Sequence, residues 1–238
     1  MAHLTCFSCS LIIFSLSFLT LSNAVYYQVT NEDPDTPGGR NFTEIIGFEY
    51  AKEVMYVTND FIWNTVFEQY SLEDRKPVDT VDLFMKDFKD MHPGVAAEVW
   101  EKNKINFNVN TFNGVPSDML KRVFTSIMYH EMTHVFQWNG EGLAPGGLTE
   151  GIADYTVIRA NYVDVATYTK PGEGDRWDEG YGVTARFLEY CDTLTPSFVA
   201  KLNKLMRPTY DVSFFQELTG KSVEQLWDDY KTYYGQTR

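Results

Sequence analysis

His130, Glu131 and His134 form the pattern H-E-x-x-H at the head of HEMTHVFQWNGEGLAPGGLTEGIAD, residues 130–154. On an α-helix, side chains four residues apart leave the same face one turn from each other, so the two imidazoles can ligate one metal ion together. Zinc lowers the pKa of a coordinated water to about 7, and Glu131, next to the first ligand, can take that proton. The spacing therefore implies a hydrolase that works through activated water.

A catalytic zinc ion keeps three protein ligands and one open position, so a third donor is required. The arrangement that adds a glycine three residues and a histidine six residues beyond the second ligand is absent, because Gln137 and Gly140 hold those positions. His92 is the one other histidine beyond residue 24, and it precedes Pro93-Gly94 in a turn, where a solvated ring is the ordinary outcome. Glu150 and Asp154 are better placed. Four residues apart, they share one side of a downstream helix, so one can bind the metal while the other accepts a hydrogen bond from a ligand histidine. Glu150 is the favoured third ligand, with Asp154 and Glu141 as the other carboxylates to consider. The resulting set suits zinc best among divalent ions. Gly151 leaves room for a second helix to approach.

Peptide hydrolysis also needs a donor for the oxyanion that forms when the carbonyl is attacked. Tyr181, in Glu179-Gly180-Tyr181-Gly182 at the start of a helical pattern, is the candidate, with Arg176 and Arg186 as cationic rivals. No motif specifies a site for a substrate amino terminus.

These residues need elements to hold them. Apolar residues recur every three or four positions from Thr43 to Tyr70, which predicts a long amphipathic helix after an irregular stretch from Thr30 to Arg40. Residues 78–85 and 105–110 alternate as strands. Ser117 or Asp118 can cap a helix that carries HEMTH to about Trp138, and Asn139-Gly140 and Gly142 end it. A helix over GLTEGIADYTVIRANY follows, then three more over 178–191, 196–206 and 222–234, the last opened by a capping box from Ser222 to Gln225. The order is a helix, a small β region and a mostly helical half bearing the site, so the class is α+β.

Residues 1–24 contain no Asp, Glu, Lys or Arg, hold an apolar run from Leu11 to Leu21 and end in small residues. They read as a cleaved secretory signal, the run being shorter than the roughly 20 residues of a spanning helix. Residues 25–238 then form a single domain in which Cys191 is the sole cysteine, buried in a helical pattern and given no role. Asn41-Phe42-Thr43 is an N-glycosylation sequon, in keeping with a secreted glycoprotein. The net charge of −13 makes nucleic acid and anionic membranes poor partners, and is explained by a solvated acidic surface. A monomer acting on a peptide or protein is expected.

HEMTHVFQWNG, APGGLTEGIADY, KPGEGDRWDEGYGVTARFLEYC and the closing QLWDDYK together resemble the plant basic secretory proteins, and the likeness covers nearly all of the chain after the leader. That family is grouped with the zincin metallopeptidases and associated with plant defence. The resemblance implies a zincin-like domain of the glutamate-ligand kind, secreted to the apoplast, with His130, His134 and Glu150 on zinc, Glu131 as general base and Asp154 orienting a histidine. A secreted zinc-dependent endopeptidase is the leading reading, and the alternative is a non-catalytic defence protein that binds or inhibits on the same scaffold. The acidity of this chain departs from the "basic" of the family name and sets aside any function resting on positive charge.

Overall fold

Leucine, phenylalanine and methionine side chains of helices and strands alike converge on one buried cluster in the computed structural model, which describes residues 24–89, 94–164 and 166–235. The proposed signal, apart from Ala24, and His92 lie outside those residues.

Four strands form one sheet in the order β1-β2-β4-β3: β1 (Tyr26–Asn31), β2 (Thr80–Lys86), β3 (Ala97–Trp100) and β4 (Lys104–Asn108). β1 and β4 both run parallel to β2, whereas β3 pairs antiparallel with β4. The parallel pair β1 and β2 needs a crossover, supplied by α1 (Pro37–Asn41) and α2 (Phe48–Phe61). Alternation puts Val81, Leu83, Met85, Ile105 and Phe107 on one face, all fully buried. β3 has a neighbour on one side only, so it forms an edge of the sheet.

The helical half comprises α3 (Leu120–Phe136), α4 (Gly146–Arg159), α5 (Tyr181–Leu194), α6 (Phe198–Leu205), α7 (Phe214–Thr219) and α8 (Val223–Tyr233). The α+β reading with a small sheet and a mostly helical half is what the structure has. Details differ. The long early helix is interrupted at Gly47, whose φ of 81° turns the chain before α2 starts. Neither Ser117 nor Asp118 caps α3; Met119 holds the N-cap position without a side-chain hydrogen bond. The helix placed at residue 178 begins three residues later, at Tyr181, because Gly180 has a φ of 104°. The capping box of α8 is present, with Ser222 and Gln225 each bonding the other's backbone. Asn41 sits half-buried at the end of α1, and Cys191 is buried, which raises its thiol pKa well above the ordinary value. No helix among the described residues is long and apolar enough to cross a membrane.

Site geometry depends on how closely α4 packs on α5. A Cβ on Gly151 would lie 2.3 Å from Thr184 Cγ2 and 2.4 Å from its Cβ. Thr184 cannot swing aside, since its hydroxyl donates to the carbonyl of Trp177 and accepts from the amide of Gly180. Gly151→Ala therefore has to spread the two helices. We expect a loss of about 1–3 kcal/mol in chemical denaturation; an unchanged midpoint would mean that the contact yields at no cost.

Candidate metal centre

α3 carries His130, Glu131 and His134, and α4, packed against it, carries Glu150 and Asp154. The helical spacing turns both imidazoles to one side, and α4 sets the carboxylate opposite them. His130 Nε2 lies 3.0 Å from His134 Nε2 and 3.1 Å from Glu150 Oε2, while His134 Nε2 is 3.5 Å from that oxygen. Donors each about 2 Å from a tetrahedral ion are separated by roughly 3.3 Å. The three atoms thus have the spacing of a first coordination shell, and the set His130, His134 and Glu150 can hold a metal ion.

Electrostatics agree with the spacing. Burial disfavours the charged form of His130, yet hydrogen bonds to Asp154 and Glu150 outweigh it and lift its pKa to about 10. Burial likewise opposes ionisation of Glu150, but hydrogen bonds from both imidazoles hold its carboxyl well below the usual range. The cluster calls for positive charge at its centre, which a divalent ion supplies.

Outer contacts orient the two imidazoles. His130 Nδ1 lies 2.8 Å from Asp154 Oδ1, a contact through which the ring can donate and keep Nε2 turned to the cluster. The second oxygen of Asp154 accepts from the Tyr168 hydroxyl at 2.7 Å. Tyr168 was not foreseen from sequence: it reaches the site through a loop, and no periodicity connects it to Asp154. Gln137, used above only to exclude a different ligand pattern, has its side-chain amide 2.7 Å from His134 Nδ1. Its position, three residues after His134 and one past the end of α3, was a legible signal.

Glu131 is 5% exposed, and burial raises its pKa even though the two histidines counter the effect. A raised pKa suits a group that must accept and then return a proton. Tyr181 stands across the site with its ring nearly parallel to that of His130, centroids 6.0 Å apart. The approach is built from backbone. A Cβ on Gly147 would meet the carbonyl oxygen of Asp178 at 1.9 Å, so only glycine lets the segment before α5 lie against the start of α4. Tyr181 itself takes a φ of 44°, a strained value for a bulky residue. The preceding loop is held by α8: the Gly172 amide donates to the Tyr230 hydroxyl, and Lys231 donates to the carbonyls of Gly172 and Gly174. The negative charge of Glu150 raises the Tyr181 pKa, so the phenol stays protonated and can donate.

The two arginines proposed as rivals are engaged elsewhere. Arg186 donates to the Thr169 carbonyl and pairs with Glu189 at 2.7 Å, with its guanidinium over the Tyr168 ring. Arg176 is exposed and pairs with Asp178. Neither lines the cleft, which has a volume of about 1110 Å³ and is bordered by β3, α3, the start of α4 and the loop around Tyr162 and Tyr168.

Comparison with known proteins places the chain among peptidases. A family model described as "Peptidase of plants and bacteria" matches residues 22–230. A protein named "Basic secretory protease", from Boswellia serrata, is 48% identical over 59 residues, which are 25% of this chain and 67% of that protein. No solved structure matches.

The Tyr168 contact can be tested alone. Tyr168→Phe keeps the ring and deletes the donor to Asp154, so metal affinity should fall by roughly tenfold in competition with a chelator. An unchanged affinity would show that Asp154 holds His130 without help.

Proposed function

The chain belongs to the family of peptidases of plants and bacteria, and on that premise we propose that it is a secreted, zinc-dependent endopeptidase of the glutamate-ligand kind. The observation that carries this reading is the convergence of His130, His134 and Glu150 within 3.5 Å of one another, with Glu131 buried beside them. A zinc ion bound there would polarise the substrate carbonyl and acidify the attacking water. Glu131 takes the proton from that water and returns it to the departing amine. Tyr181 donates its phenolic hydrogen to the oxygen that gains charge in the transition state. Asp154 keeps the His130 ring fixed throughout.

An internal cut, rather than trimming of an end, is supported by the cleft. It runs along Gly94 to Lys102, and β3 within that stretch is hydrogen-bonded on one side only. An extended peptide can add itself as the next strand and cross the site in mid-chain. Secretion is supported by the charge-free apolar leader over residues 1–24 and by the name of the Boswellia relative, with residues 25–238 as the mature single domain.

Two substitutions separate the roles. Glu131→Gln should retain zinc at wild-type stoichiometry while lowering cleavage of a denatured protein by at least about 10²-fold; a variant as active as the parent would refute the base assignment. Tyr181→Phe should lower kcat on the order of 10²-fold with KM little changed. A rise in KM at constant kcat would instead make Tyr181 a substrate-binding residue.

A further inference from the structure

The two ligand histidines are held differently, and the second holder has a detail that points to its role. Gln137 follows the last residue of α3, with an extended backbone at φ −73° and ψ 148°. Its amide donates to the Thr133 carbonyl at 2.8 Å, its own carbonyl accepts from Lys76 Nζ at 3.2 Å, and the next amide, of Trp138, donates to Asn203 Oδ1 at 2.8 Å. The backbone is therefore anchored on both sides, and the side chain, on a residue only 3% exposed, turns back along the helix to His134.

Which way the amide faces decides what His134 can do. With the amide nitrogen toward His134 Nδ1, that ring nitrogen must be the acceptor, so the ring proton sits on Nε2. That proton would point into the cluster, 3.0 Å from His130 Nε2, where a ligand needs a lone pair. In either orientation the outer atom of the amide, Oε1 as placed, is buried without a hydrogen-bond partner, so the chemistry of His134 makes the choice. With the amide reversed, Oε1 accepts from Nδ1–H, the 2.7 Å contact is an ordinary N–H···O bond, and His134 Nε2 has its lone pair free.

We propose that Gln137 is the positioning residue of His134, its side-chain carbonyl accepting the Nδ1–H bond and thereby selecting the tautomer that ligates through Nε2. The inference rests on the metal-centre reading above. It makes the centre asymmetric: a carboxylate, backed by Tyr168, orients His130, and a neutral amide orients His134.

The test uses the full secreted chain and zinc in competition with a chelator, with the unfolding midpoint of the metal-free protein as a control. Gln137→Leu should weaken zinc binding 10- to 100-fold, whereas Gln137→Glu, which can only accept, should bind within a few-fold of the parent. In proton NMR of the zinc-loaded protein, Gln137→Leu should broaden or remove one histidine Nδ1–H resonance and leave that of His130 in place. Equal loss in the Leu and Glu variants would mean that Gln137 donates to His134 and overturn the proposal, as would full affinity in Gln137→Leu. If the parent itself binds no zinc, the metal-centre reading fails first and takes this inference with it.

Discussion

The packing of α4 against α3 brings two imidazoles and a carboxylate into a space that cannot hold them neutral and unpartnered. Two imidazole nitrogens 3.0 Å apart can both turn a lone pair inward only if a positive charge lies between them; otherwise one of them must carry a proton. The folded chain meets that need by favouring a charged His130 in spite of its burial, which is the response of a site shaped for a cation. Much of the surrounding architecture serves this approach. Gly151 gives up its side chain so that α4 can rest on Thr184, and Gly147 does the same so that the segment before α5 can lie on α4.

The rest of the fold makes the approach rigid. The buried face of the sheet, from Val81 to Phe107, supports α3 through Phe124, Met128 and Met132, all fully buried. On the far side, Phe187 of α5 packs edge-on against Trp227 and Tyr230 of α8. α8 thus joins the core by its aromatic residues and clamps the glycine loop by Tyr230 and Lys231. A helix far from His130 and Glu150 in sequence therefore fixes the loop that presents Tyr181.

How much was legible in the sequence follows from the range of each signal. HEMTH and the Glu150/Asp154 pair could be read because helical geometry relates residues four apart wherever the helix lies. The Ser222 capping box is local for the same reason. β1 and β3 went unread: β1 alternates only between exposed and half-buried positions, and β3 has four residues, too few for a period to emerge. α7, with six residues, fails likewise. Tyr168 was invisible because its link to Asp154 runs through a loop, and the engagement of Arg186 with Thr169 and Glu189 is tertiary. The N-cap of α3 misled for another reason: Ser117 and Asp118 have suitable side chains, but the helix begins after them.

The choice of a tyrosine rather than an arginine beside the centre has a physical rationale. Glu150 presents its carboxylate to the two imidazoles, and its charge is what raises the Tyr181 pKa. A guanidinium in that position would form a bidentate pair with Glu150 and compete with the ion for the ligand. A phenol offers one hydrogen and no charge, so it leaves Glu150 free and stays protonated because of it. The strained φ of Tyr181 and the two glycines flanking it are consistent with a backbone committed to presenting that one donor. The arginines of the neighbouring motif are meanwhile spent on structure, Arg186 by stacking on the ring of Tyr168, whose hydroxyl steadies Asp154. Arg186 is thereby kept one layer back, where it braces Tyr168 without pairing with Glu150 or Asp154.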